Sequence, residues 1–587
     1  MQRESNYEKF PIFTVSRCRS ETWEGWPDIL DRLKAFAASE PCTISFECYP
    51  GVFEKALVGA LAAGLRPSGL ILTSDLLKSP SEIEPLVSSV LGDDPVFGRM
   101  NSLEIEDFFD AGKLARAREL VKNWRHGLLV IFGTGASLLS AGPGLLVYAD
   151  MARWEIQQRQ RRNAVGNLGA DNLLESPGQK YKRAFFVDWR AADNLKKSLL
   201  QKIDFWLDTN GDVPKLITGR AVRDGLKQIA RRPFRVVPYF DPGPWGGHWM
   251  EEVCDLPTGM PNYAWCFDCV PEENSLLLSF GGTSVEIPTM NLTLLYPREL
   301  LGDAVFSQFG AEFPIRFDFL DTMGGGNLSL QVHPKIQYIR EHFGMQYTQD
   351  ESYYLLDAGE DGNVYLGLKT HGDRDAMIRE LKAAQYDGAS FSAEKYVNRF
   401  PARKHDHFLI PTGTIHCSGR NCMVLEVSAT PYIFTFKLWD WDRLGLNGSP
   451  RPIHLEQGLA NIAWNRDTEW VMKNLINRIE PVNQGPGWRE ERTGLHELEF
   501  IETRRHWFTS ATPHNTLGTV NVLNLVEGEE AIVESPTGAF DPFVVHYAET
   551  FIVPAAVGRY QISPVGRTTG KACGTIKASV RSERPCR

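Results

Sequence analysis

Leu328-Ser-Leu-Gln-Val-His-Pro334 is the stretch that decides the reading of the C-terminal two thirds of this chain. As a strand it sends Gln331 and His333 to one face, because successive side chains alternate across a sheet. Asp350-Glu351-Ser-Tyr-Tyr-Leu-Leu-Asp357 is a second strand pattern, opening on carboxylates. Phe408-Leu-Ile-Pro-Thr-Gly-Thr-Ile-His416 then runs an apolar strand into a Pro/Gly turn that ends on histidine. Gln331, His333, Glu351 and His416 on neighbouring strands make an N/O donor set suited to zinc or a similar divalent ion. Such a set leaves a coordination position open, as catalytic rather than structural sites do.

These segments carry a resemblance. From Val237 onward the chain resembles the type I mannose-6-phosphate isomerases, metal-dependent cupins. The matching motifs are Trp245-Gly246-Gly247, Leu328 to Pro334, Glu351 to Ala358, the turn Pro411 to His416, and Trp439-Asp-Trp-Asp-Arg443. The resemblance implies one zinc ion on Gln331, His333, Glu351 and His416. It also implies aldose–ketose isomerisation of mannose 6-phosphate and fructose 6-phosphate, or of a related sugar, through a cis-enediol. Arg443 stands at the family's catalytic arginine, a fixed charge preorganised for a developing enediolate. Asp318 and Gln349 stand where the family carries lysines, which removes attraction for a phosphate. Arg316, Lys335, Lys369 and Lys437 are the cations that could compensate, and of these Lys335 and Lys437 are the candidates to bind substrate. The alternative is a non-catalytic sugar- or metabolite-binding regulator on the same scaffold.

The length of 587 residues exceeds one hydrophobic core and implies about three or four domains. A net charge of −10 argues against general affinity for nucleic acid or anionic membrane. The partner expected is a small sugar or sugar phosphate, and oligomeric state is not legible. The N-terminus has no apolar signal segment, and no apolar run is long enough to span a bilayer. The ten cysteines show no framework spacing, so free thiols and a cytoplasmic location are expected. Cys266-Phe-Asp-Cys269 has no second pair to complete a zinc ribbon.

The expected architecture is multidomain: an N-terminal α/β domain with a parallel sheet over 1–232, a metal-binding cupin over 233–470, and a second cupin-like β domain over 471–587. In the first, strands are expected at Thr43–Glu47, Leu70–Thr73, Leu128–Phe132, Leu145–Tyr148 and Ala184–Val187. Helices are expected over Met151–Arg162 and Ala191–Leu207. Strand, turn and helix around Gly51 and Lys55, with the Arg-rich segment Arg153–Arg162, resemble a nucleoside- or nucleotide-kinase-like P-loop domain. Cys48 to Ala56 lacks the second glycine and the Gly-Lys-Ser/Thr that cradle phosphate and magnesium, so a non-catalytic domain is expected. Arg374 to Gln385 reads as a helical insertion between barrel strands. The turn of the second barrel, Ala555 to Tyr560, lacks a metal histidine. His371, His405 and His407 are expected to be solvated.

Overall fold

The computed structural model describes residues 5–581 apart from 17, 19, 38–41, 140–143, 430–431 and 495–498. The chain divides into two compact units. One comprises residues 12–228 and 275–295, the other residues 1–11, 229–274 and 296–587.

In the first unit five parallel strands form one side of a seven-stranded sheet, out to its edge. Across the sheet they run Gly69–Leu72, Leu128–Gly133, Cys42–Cys48, Leu145–Asp150 and Phe205–Asp208. Leu128–Gly133 is buried throughout, as expected of a parallel strand covered on both faces. Lys215–Thr218 and Thr22–Glu24 continue the sheet antiparallel beyond Phe205–Asp208. Two expectations fail here. Ala184–Asp188 is a π-helical turn joining the helices Pro177–Arg183 and Trp189–Leu199. All five residues of the turn are buried, and a short buried apolar run has no periodicity that distinguishes helix from strand. The helix expected to reach Leu207 stops at Leu199, because Phe205–Asp208 is the sheet's fifth parallel strand.

The second unit holds two pairs of antiparallel sheets. In the first pair, a six-stranded sheet is ordered His407–Ile410, Asp350–Ala358, Cys422–Ala429, Arg316–Asp321, Trp265–Cys269 and Tyr239–Asp241. The five-stranded sheet is ordered Val397–Pro401, Asn363–Leu368, His416–Ser418, Leu330–Val332 and Phe436–Trp439. Phe317, Phe319, Tyr353, Leu355 and Leu425 are all fully buried between covered faces. The insertion is the helix Arg374–Asp387, capped by the Asp373 carboxylate at its start and ended by Gly388 in the left-handed region, φ +69°. The second pair, between Glu480 and Val580, has six and four strands and a core that includes Phe508, Leu523, Val533, Phe551 and Ile562. Among the described residues no helix is long and apolar enough to cross a membrane. Cys266 and Cys269 are buried free thiols.

Candidate metal centre

Glu351 comes from the six-stranded sheet, Gln331 and His416 from strands of the five-stranded sheet, and His333 from the residue after one of them. Gln331 and His416 are direct cross-strand partners. The sheets meet face to face at these side chains. His333 Nε2 lies 3.1 Å from Glu351 Oε2, and His416 Nε2 lies 2.9 Å from Glu351 Oε1. The Gln331 amide is 3.2 Å from His416 Nε2. Turning the amide over presents Oε1 at the same place.

The backs of both rings are fixed. His333 Nδ1 lies 2.9 Å from the Phe434 carbonyl, and His416 Nδ1 lies 2.9 Å from the Thr414 carbonyl. A carbonyl only accepts, so each Nδ1 carries the proton and each Nε2 turns a lone pair inward. This is the outer support metal-binding histidines use. His333 Nε2 and Glu351 Oε1 are buried and have no hydrogen bond despite these close neighbours. They converge on a shared point rather than aim at each other. One donor atom from each of His333, Glu351 and His416 lies within 4.8 Å of the others. Zinc bonds of about 2.0–2.2 Å in a tetrahedron place donors roughly 3.3–3.6 Å apart, so the 3.1 and 2.9 Å separations between the carboxylate and the two rings need little adjustment. The donor set fits a divalent ion.

The turn that delivers His416 is clamped by groups with no motif of their own. Thr412 N donates to Asp350 Oδ1 at 2.9 Å, tying the turn to the strand of Glu351. Gly413 N donates to the His333 carbonyl at 3.0 Å. Arg466 donates to the carbonyls of Pro411 and Thr412 at 2.6 and 2.7 Å, and to the Thr414 hydroxyl. Gln349 Nε2 donates to Glu351 Oε2 at 3.2 Å, while its Oε1 accepts from Phe434 N at 3.0 Å. Gln349, where the resemblance expects lysine, is therefore a brace between a candidate ligand and the carbonyl-bearing residue behind His333. Arg466 lies about 50 residues beyond the turn and carried no sequence signal.

A row of polar groups crosses the same face. Asp318 pairs with Glu426, and Glu426 pairs with Tyr353, on three adjacent strands. Burial, then the charge of Glu351, lifts the Glu426 carboxyl well above the usual range. Burial lifts Asp318 to about 7, with Arg316 pulling the other way. Burial acts to raise the Glu351 carboxyl, but the positive charge that the two imidazoles carry when protonated outweighs it and holds the carboxyl well below the ordinary range. One carboxylate in the row thus keeps its charge readily, and its neighbours do not.

Among the described residues, no side-chain hydrogen bond joins the remaining candidates to the donors. Arg443 is anchored by Asp440 Oδ1 at 2.7 Å and by the Asn327 carbonyl, and none of these bonds reaches a candidate ligand. Asp440 also accepts from Ser329, two residues before Gln331, and from Arg451. Lys437 is the cross-strand partner of Gln331, and burial pushes its ammonium down to about 8. Lys335 donates to the Ile462 carbonyl at 3.3 Å. Two histidine expectations fail. His407 is fully buried in a strand, and burial holds its pKa down at about 3. His405 is partly buried and contacts the Tyr354 hydroxyl and Glu527 at 3.0 and 3.2 Å. Tertiary packing of the strand against Tyr354 covers both rings.

Residues 25–231 match a family model described as a domain of unknown function, DUF8485. The chain is 25% identical over 323 residues to the mannose-6-phosphate isomerase of Streptococcus mutans, covering 54% of this chain and 90% of that protein. It is 23% identical over 235 residues to the mannose-6-phosphate isomerase ManA of Bacillus subtilis, covering 40% of this chain and 69% of that protein. Among solved structures, a mannose 6-phosphate isomerase from Bacillus subtilis superposes with a TM-score of 0.47 at 17% identity, over 59% of this chain and 99% of that one. Over its C-terminal part the chain is homologous to mannose-6-phosphate isomerases.

Proposed function

We propose that the second unit is a metal-dependent aldose–ketose isomerase that interconverts mannose 6-phosphate and fructose 6-phosphate, or a closely related sugar pair. The observation that carries this is the convergence of His333 Nε2, His416 Nε2 and the Glu351 carboxylate, each ring locked from behind by a backbone carbonyl. Gln331, His333, Glu351 and His416 would hold one zinc ion, which when bound supplies Lewis-acid polarisation of the sugar's carbonyl and hydroxyl oxygens. Arg443 would stabilise charge developing on the sugar oxygens, with its planar guanidinium set in advance by Asp440 and the Asn327 carbonyl. Lys437, beside Gln331, and Lys335 would bind the substrate's anionic end. The test is a metal-loaded full-length protein assayed with both phosphorylated and free mannose and fructose. Interconversion that disappears with the metal in His416→Ala supports the reading.

A second reading, a sugar-binding regulator, is favoured by Asp318, whose buried Oδ1 has no hydrogen-bond partner where the resemblance expects a lysine. A metal-replete protein inert toward all four sugars, yet binding one of them, would establish it. The first unit we read as kinase-like and non-catalytic. In support, Glu54 opens the helix after the loop Cys48–Phe53, placing a carboxylate where a phosphate-binding loop needs open amides.

A further inference from the structure

The first unit contains a cavity of about 640 Å³, within the size range of small-molecule sites. It is walled by the segment Pro50–Ala56, by Thr73, Leu77 and Thr134, and by the loop over residues 164–171. It lies outside the carboxyl ends of the parallel strands Cys42–Cys48, Gly69–Leu72 and Leu128–Gly133. The strands Leu128–Gly133 and Leu145–Asp150 flank Cys42–Cys48 on opposite sides, so the chain changes direction across the sheet at this point. Open α/β sheets bind their ligands in such a crevice.

The crevice leaves an anion few free donors. Gly135 N and Ser137 N, the amides that follow the third of these strands, donate to the buried Glu47 carboxylate at 2.6 and 2.8 Å. Thr134 N lies 3.4 Å from Glu54 Oε1. Arg159 gives its donors to Glu155, the Gly51 carbonyl and the Thr209 carbonyl at 3.0, 3.1 and 2.6 Å, and covers the Phe53 ring at 3.9 Å. Lys55 is an exposed cation on the cavity wall, set against the carboxylates of Glu54 and Asp171 on the same wall. A phosphate entering here would meet the Glu54 carboxylate and find these amides and this guanidinium occupied. The outer wall is fixed in place. Lys180 Nζ donates to the Gln160 carbonyl, Asn163 Oδ1 and the Leu173 carbonyl at 2.6, 2.7 and 2.8 Å, and Asn167 and Asn172 bond each other at 2.8 and 2.9 Å.

We propose that this cavity binds an uncharged organic molecule carrying vicinal hydroxyls, of nucleoside or free-sugar size, and rejects the phosphorylated form of the same molecule. The hydroxyls donate to Glu54 and exchange hydrogen bonds with Thr73 and Thr134, while Val52, Leu77 and Leu168 cover the apolar faces. Polar acceptors facing a pocket select donors and penalise like charge.

Calorimetry on the full-length protein tests this with adenosine, ATP, mannose and mannose 6-phosphate as probes. Ala170→Trp fills the wall of the cavity, and Glu54→Gln keeps the shape while removing the charge. Adenosine or mannose should bind with an affinity lost in Ala170→Trp, with metal content and melting temperature unchanged. The phosphorylated partner should bind this site at least about tenfold more weakly, and Glu54→Gln should narrow that gap. Adenosine and mannose arms distinguish the nucleoside from the sugar. The proposal is overturned if no probe's binding depends on Ala170 or Glu54, or if the phosphorylated probe binds the cavity as tightly as its parent.

Discussion

His333 and His416 are fixed by the same device, an Nδ1–H bound to a backbone carbonyl, and so present Nε2 to the same point. Glu351 completes that point from the opposite sheet. Removing either partner type should empty the site: His416→Ala and Glu351→Ala are expected to lose tightly bound metal, read by elemental analysis of purified protein. Retention of about one equivalent in both would place the ion elsewhere. Arg443 makes the opposite prediction, because its hydrogen bonds go to Asp440 and Asn327 rather than to a donor residue. Arg443→Ala should keep the metal yet lower turnover by about 10²–10³, the usual cost of one stabiliser of developing charge. Arg443→Lys should recover little, since a point charge on a flexible stem does not reproduce a planar fork. Steady-state rates and metal content measured on the same preparations separate the two effects.

At the scale of the element, the turn Pro411–His416 does more than join two strands. Gly413 sits at φ +86°, and a Cβ there would stand 2.9 Å from the Asn461 carbonyl oxygen and 3.2 Å from Lys335 Cε. Its amide is also the link to the His333 carbonyl. Gly413→Ala should therefore cost about 1–2 kcal/mol in backbone conformation alone and shift the turn that carries His416. Weaker metal affinity, with no ligand altered, is the expected result of a chelator competition titration. Affinity equal to the parent's would show that the clamp of Asp350 and Arg466 holds the turn unaided. The turn and its histidine were legible from Pro, Gly and the apolar run before them. Arg466 and Gln349 were not, because an arginine in one loop and a glutamine before a strand have no spacing that announces a partner.

At the scale of the whole molecule, three histidines among the described residues are held neutral in packed interiors. His407, His506 and the adjacent His514 have pKa values pushed down by burial, to about 3, to about 4 and well below the usual value respectively. Above about pH 6.5 they are neutral in both folded and unfolded chains. As pH falls below that, the unfolded chain takes up protons the folded one refuses, so this contribution to stability is lost between about pH 6.5 and 4. Buried carboxyls work the other way: Glu47 and Glu286 are lifted to about 7 by burial, and their contribution is lost as pH rises through that value. The two sets oppose each other in one window, so the test compares variants. The melting temperature of His514→Phe should gain on the parent's as pH is lowered from about 6.5 to 4, and a constant difference would refute the assignment. A second expectation concerns the first unit alone. Mg-ATP should not bind there at micromolar concentration, and calorimetry showing binding with phosphate transfer to a sugar would make the chain bifunctional.

The sequence alone determined the identity of the metal candidates, the parallel sheet of the first unit and the β-rich character of the rest. Those properties are written in local order: ligand spacing on strands, apolar runs between turns, and glycine where the backbone must take positive φ. Tertiary structure alone decided that Ala184–Asp188 is helical, that His407 is buried, and that Gln349, Asp350 and Arg466 brace the site. It also decided that the amides of Gly135 and Ser137 are already taken by Glu47, a residue some 90 positions away. The physical reason is common to all of these. Each depends on which distant group fills a hydrogen bond or covers a surface, and chain-local patterns carry no record of that partner.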